Sequence, residues 1–248
     1  MLLPAPGFPV PFHGGVLSLI WEGIKKAAEL LWTLDPEVLG ITLFSLKVSI
    51  LATGVSLAIG GATGMALALA RFPGRRLVIS LVNTGMGLPP VVVGLFVTIL
   101  LWRNGPLGFL DILYTPSAII LAQTVIATPI IAGISLAAIQ QLPPDLRLQI
   151  LSLGASRWQT VLWLAREARL PLMAAVMAGF GGVISEVGAS IMVGGNIKGS
   201  TRVLTTATVM ETGKGNFDTA IALSLILMVL MFAVNGALTH IQQRDRPR

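Results

Sequence analysis

Residues 112–144 read ILYTPSAIILAQTVIATPIIAGISLAAIQQLPP, thirty-three positions without one charged side chain. About twenty helical residues cross a hydrocarbon layer. A soluble core helix is seldom so long, whereas in lipid a helix satisfies its own backbone hydrogen bonds and is the open structure able to span. The stretch therefore predicts a membrane-spanning helix. Outward from it, further uncharged runs cover 48–70, 77–102, 170–185 (continuing past Glu186 to 197) and 219–239. The predicted fold is all-α: a polytopic integral membrane protein with about five transmembrane helices. Composition agrees, with 54% hydrophobic residues, 11% charged and a mean hydropathy of +0.83.

The charges sort by loop. Arg71, Arg75, Arg76, Arg147, Arg157, Arg166, Arg169, Arg244, Arg246 and Arg248 face only Asp145, Glu167 and Asp245 in one set of loops. In the other set seven cations, among them Lys47, Lys198, Arg202 and Lys214, meet seven acids, among them Glu37 and Glu211. Basic excess marks cytoplasmic loops, which predicts the N-terminus outside and the C-terminus inside. The arginines are scattered over short loops pinned to the bilayer, so the basic pI does not indicate nucleic acid. There is no cysteine, which excludes disulfides and thiolate metal sites. His13 and His240 lie near opposite ends of the chain, make no ligand pair and read as interfacial. No metal site, catalytic residue or cofactor is expected in this chain.

Before residue 48 charges recur too often for a span and no basic region precedes an apolar one, so a signal peptide is not indicated. Leu17, Ile20, Trp21, Ile24, Ala28 and Leu31 share a helical face opposite Glu22, Lys25, Lys26 and Glu29. This amphipathic helix either lies on the outer membrane surface or packs on neighbouring spans.

Residues 143–171 form an amphipathic insertion on the arginine-rich side. Pro143-Pro144-Asp145 opens a short helix and Gly154 closes it; Ser156 and Gln159 have capping-box spacing for a second. Trp158, Val161, Leu162, Ala165 and Ala168 are expected on one face of that second helix. An interfacial loop and a docking element for a cytoplasmic partner both fit.

Within the second run, Gly85-Met86-Gly87-Leu88-Pro89-Pro90 removes two amide donors and predicts a kink or opening. Such breaks in transporters line cavities. Pro129 and the glycines at 179, 181, 182 and 188 add further weak points, suggesting a moving gate. Gly60 and Gly64 are spaced for close helix packing. Glu186 is the one acid well inside a span, a candidate to gate, to pair with Lys47 or to cap a helix.

Leu151-Ser152-Leu153-Gly154-Ala155-Ser156-Arg157-Trp158-Gln159-Thr160 resembles the coupling loop of ABC importer permeases, although Leu148-Gln149-Ile150 stands where that family usually has Glu-Ala-Ala, and Pro171 comes about a turn later than its usual proline. The blocks Ile184-Ser185-Glu186-Val187-Gly188-Ala189, Gly194-Gly195-Asn196-Ile197, Thr201-Arg202-Val203-Leu204-Thr205-Thr206 and Lys214-Gly215-Asn216-Phe217-Asp218 resemble tungstate-transporter permeases. Leu88-Pro89-Pro90-Val91-Val92-Val93-Gly94 is similar to molybdate and sulfate permeases too.

The resemblance implies an ABC type I importer permease of a prokaryotic cytoplasmic membrane, working as a homodimer. It implies a cytoplasmic ATPase dimer holding ATP and Mg2+, and an extracytoplasmic solute-binding protein. Gly154, Ala155, Ser156, Arg157 and Trp158 would couple to the ATPase; Gly87, Pro89, Pro90, Ser185, Glu186, Ser190 and Asn196 would face the translocation pathway. The domains are then an extracytoplasmic segment 1–47, a permease domain 48–241 with its coupling loop 143–171, and a cytoplasmic basic tail 242–248.

Moving a dianion inward against an inside-negative potential costs roughly 4.6 kcal/mol per 100 mV. Ion-coupled carriers usually show several intramembrane acids or histidines, and this chain shows Glu186. Gly195-Asn196-Ile197-Lys198-Gly199-Ser200-Thr201 has the residue types of a phosphate-binding loop in the wrong order, so ATP hydrolysis falls to another polypeptide. The competing reading, a stand-alone secondary anion carrier, predicts transport by this chain alone.

Overall fold

The computed structural model describes residues 16–244; His13 and the last four residues of the predicted basic tail lie outside them. The helices are α1 (Val16–Trp32), α2 (Pro36–Ser56), α3 (Ala62–Leu69), α4 (Arg75–Met86), α5 (Pro90–Leu101), α6 (Pro116–Gln140), α7 (Pro144–Ser152), α8 (Arg157–Glu167), α9 (Arg169–Ile184), α10 (Gly188–Gly194), α11 (Leu204–Gly213) and α12 (Phe217–Arg244). There is no strand among the described residues. One wide turn, Leu57–Gly61, joins α2 to α3 as a π-helix, so the two form one continuous rod.

Three rods are long and apolar enough to cross a membrane: Pro36–Leu69, Pro116–Gln140 and Phe217–Gln243. The first begins at Pro36, well before the expected start at Val48. Asp35 Oδ1 accepts from the backbone N–H of Glu37 and Val38, and Pro36 supplies the first helical position. Lys47 does not interrupt the helix because it occupies an exposed face.

Direction follows from packing register. Ser56 Oγ donates to Thr124 O at 3.2 Å, Gly60 abuts Thr128, and Gly64 abuts Ala132. A Cβ at either glycine would strike the α6 backbone, which confirms the close-packing role read from the sequence. Residue numbers rise together along both rods, so α2–α3 and α6 run parallel. The chain between them must recross, and the bent pair α4 and α5, turned through 104°, performs that crossing. The expected break at 86–90 is therefore present and sharp. By contrast α6 runs unbroken through Pro129, against which Gly85 packs.

The return path through α9 ends at Ile184, and after a break at Ser185–Val187 the short α10 completes it. Close to the start of α9, Leu170 O accepts from Gln242 Nε2 at 2.9 Å, which places the end of α12 at the same end of the bundle. Leu69 O, Arg147 and the α7–α8 hairpin share that end, sealed by Ile139, Leu164, Ala168 and Leu69. At the opposite end Tyr114 N donates to Val193 O, and Leu204 N to Ser45 Oγ. Five crossings and two chemically distinct ends result.

Of the two placements open for the amphipathic helix, α1 takes packing on a span. Ala27 is buried and Gly23 is in close contact with Ile221 of α12. The contact runs through this glycine and alanine and not through the apolar face expected from the sequence, since Leu17, Ile20, Trp21, Ile24, Ala28 and Leu31 all stay exposed.

Candidate functional sites: a capped elbow and a pair of broken helices

The turn between α7 and α8 is capped from both sides. Ala155 N donates to Ile150 O and Gly154 N to Leu151 O, the two bonds of a Schellman motif, with Gly154 at φ +85°. Immediately afterwards Gln159 N donates to Ser156 Oγ at 3.3 Å and Ser156 N to Gln159 Oε1 at 2.7 Å, completing the predicted capping box. Gly154, Ala155, Ser156, Arg157 and Trp158 thus sit together on a stiff corner, as the sequence predicts.

The face shared by Trp158, Val161, Leu162, Ala165 and Ala168 is buried only in part. Thr160, Leu164 and Ala168, spaced four apart, are the buried positions, while Trp158 is 70% and Leu162 52% exposed. A threonine can take the inner position because its hydroxyl bonds its own helix at Ser156 O, 3.0 Å away. Trp158 is consequently turned outward. With Leu148, Leu151, Leu153, Leu162 and Trp163 it leaves six large apolar side chains uncovered on one short hairpin. Soluble surfaces avoid such patches unless another molecule covers them.

The second candidate site is where the two interrupted crossings meet. A Cβ on Gly188 would touch Val91 and one on Gly94 would touch Ala189, so α5 and α10 lie side by side just past their breaks. Gly87, Pro89, Pro90 and Ser185 are exposed at these breaks. Ser185 donates to Gly181 O of its own helix at 2.7 Å.

Glu186 and Ser190 are buried and occupied with each other. The Glu186 carboxylate accepts from Ala189 N at 2.7 Å, Ser190 N at 2.9 Å and Ser190 Oγ at 2.9 Å. It therefore caps α10, the third of the roles open to it; among the described residues no ion pair joins it to Lys47. Asn196 lies away from the breaks in the loop after α10, at φ +51°, accepting from Thr206 Oγ1 at 2.9 Å. Of the seven predicted pathway residues, four stand open at the breaks, two form the α10 cap and one braces a loop.

Residues the sequence did not single out complete the picture. Thr205 Oγ1 donates to Glu186 O, tying α11 to the break, and Gln123 Nε2 donates to Val183 O at the end of α9. A glutamine inside a long apolar run was the available signal. At the end opposite the hairpin, Glu37 pairs with Lys198 at 2.6 Å and Arg202 at 3.7 Å. Nearby, Asn216 and then Lys214 hold the Glu211 carboxyl below its usual range by hydrogen bonding.

A five-crossing helical bundle with an amphipathic elbow and interrupted helices is an architecture suited to a membrane transport subunit. The family of binding-protein-dependent transport system inner membrane components matches residues 40–246, and the chain belongs to that family. The "Probable anion ABC transporter permease protein" of Haloferax volcanii is 42% identical over 85% of this chain and 93% of its own length. The tungstate uptake system permease protein TupB of Peptoclostridium acidaminophilum is 37% identical over 92% of this chain and all of its own. Among solved structures, the inward-facing MetNI methionine ABC transporter superposes with a TM-score of 0.68 at 21% identity, covering 88% of this chain and 99% of that one. The likeness to MetNI establishes the shared fold.

Proposed function

We propose that two copies of this chain form the membrane pathway of an ATP-driven importer for tungstate, with the elbow as the lever on which a cytoplasmic ATPase dimer acts. The observation that carries the reading is the pairing of stiffness with exposure at 151–163. A turn capped on both sides transmits displacement better than a loose one, and the six uncovered apolar side chains around it offer a surface for the ATPase. The hairpin end is then cytoplasmic, in line with its excess of arginine, and an extracytoplasmic binding protein delivers the anion at the other end. In this topology the segment before Pro36 begins outside, the permease domain runs from Pro36, rather than from the expected 48, to 241, and the tail 242–248 is cytoplasmic.

Gly87, Pro89, Pro90 and Ser185 line the pathway at the two breaks, where rearrangement of the backbone costs least. Glu186 acts through its cap on α10 and keeps its negative charge away from the anion. Tungstate is favoured by the match to TupB over nearly the whole of both chains. Molybdate or sulfate, of the same charge, are the alternatives, and the binding protein is expected to discriminate among them.

Proteoliposomes test the reading. The chain with its ATPase and binding protein is expected to accumulate tungstate only with ATP inside the ATPase compartment; the chain alone is expected to accumulate none. Transport by the chain alone would establish the secondary carrier instead.

A further inference from the structure

Between α3 and the base of the hairpin lies a cavity of about 790 Å3, whose rim shares Leu151, Arg157 and Trp158 with the elbow and whose inner wall lies on α3, away from it. Three guanidinium groups stand around it, Arg71, Arg147 and Arg157, with no carboxylate among its lining residues. Arg147 spends one N–H on Leu69 O at 3.1 Å; among the described residues Arg71 and Arg157 have no hydrogen-bond or ion-pair partner. The inner wall is apolar. Ala62, Met65 and Ala66 lie on α3, one to two turns up from Leu69, so the cavity reaches about 10 Å along a membrane-spanning rod.

We propose that this cavity binds an anionic phospholipid of the adjoining leaflet, its phosphate held by Arg71 and Arg157 and an acyl chain lying along α3. Charge and shape select that occupant. A free oxyanion would satisfy the arginines but leave the apolar wall uncovered. A soluble partner meets the arginines at the rim and does not reach down a rod buried in hydrocarbon. A second copy of this chain brings the same arginine-rich end, which is repelled rather than bound. An anionic lipid supplies both complements, and basic pockets beside membrane helices are suited to such head groups. The exposed indole of Trp158 at the cavity edge sits where an amphipathic ring favours the interface. The lipid would brace the elbow against α3, and the inference holds whichever oxyanion is carried.

Native mass spectrometry of the full-length permease in detergent, offered equal dioleoylphosphatidylglycerol and dioleoylphosphatidylcholine, tests it. Retention of about one phosphatidylglycerol per chain, with phosphatidylcholine washed away, is the expected result. The double variant Arg71→Gln/Arg157→Gln should weaken phosphatidylglycerol retention about thirtyfold, and Arg71→Lys/Arg157→Lys should restore most of it. Ala66→Trp, which fills the apolar part and leaves the arginines intact, should also abolish retention. Equal retention of the two lipids, or retention unchanged in both the glutamine and the tryptophan variants, overturns the proposal. So does displacement of the lipid by millimolar inorganic phosphate or by the ATPase subunit, which would assign the cavity to a free anion or to ATPase docking respectively.

Discussion

The two ends of the bundle treat charge in opposite ways. Away from the hairpin, Lys198 and Arg202 close on Glu37, tying segments more than a hundred residues apart, while Lys214 and Asn216 close locally on Glu211. At the hairpin end Arg71 and Arg157 are unpaired among the described residues and large apolar side chains stand open beside them. An end whose charges find internal partners holds its own loops together. An end left unsatisfied offers contacts to other molecules, an ATPase by the function proposed above and a lipid by the further inference.

Substitutions at the two ends should therefore differ in kind. The largest effect is expected at the elbow. Gly154 has open space around it, so the constraint is its φ of +85°, which a β-branched residue resists. Gly154→Val is expected to cut ATP-driven uptake by about tenfold or more while the chain inserts normally and the ATPase still turns over. Measuring uptake and hydrolysis in the same vesicles separates uncoupling from loss of protein; unchanged uptake would break the contrast.

Next comes the break between α9 and α10. Glu186→Ala leaves the N–H groups of Ala189 and Ser190 buried without an acceptor, at about 1–3 kcal/mol each. Thermal unfolding in detergent should register a clear drop, with Glu186→Gln, which keeps one acceptor oxygen, losing less. Equal losses in both variants would mean that the charge, rather than the cap, matters there.

Smaller effects are expected at the self-paired end. Glu37→Gln breaks both ion pairs, yet Glu37 and Lys198 are half-exposed or more, so the stability change should stay below about 1 kcal/mol in an ordinary thermal melt. Smallest of all is the pH response of Glu211. Its folded value lies below the ordinary 4.5, so its contribution is complete above that pH and disappears as pH falls through the lowered folded value. The stability difference between the natural chain and Glu211→Gln should be flat from pH 7 to 5 and shrink in more acidic buffer.

Features governed by local chemistry were legible in the sequence. The Schellman glycine, the capping box and the Gly-Leu-Pro-Pro break depend on residues within a few positions, and each formed where expected. What depended on distant partners was not. Extension of the first crossing back to Pro36 is compatible with charge because Glu37 meets Lys198, far along the chain, and Lys47 finds an exposed face. Hydrophobic periodicity grouped Trp158 with Val161, Leu162, Ala165 and Ala168 on one face of α8 without saying how much of it is buried; Thr160 hides its hydroxyl in its own helix and takes a buried place, and Trp158 stays exposed. Glu186 drew attention as a lone intramembrane acid, although its use is a local one, three and four residues ahead.

Because the chain has no cysteine, single cysteines report on its two ends directly. Leu153→Cys at the elbow, 87% exposed, and Ser200→Cys beside Lys198 would be challenged in intact cells with a membrane-impermeant maleimide. The expected pattern is that Ser200→Cys reacts at once, whereas Leu153→Cys reacts only after permeabilisation and is then shielded by the added ATPase. Reaction of Leu153→Cys in intact cells would place the lever on the wrong side of the membrane and contradict the assignment of the uncovered end to an ATP-hydrolysing partner.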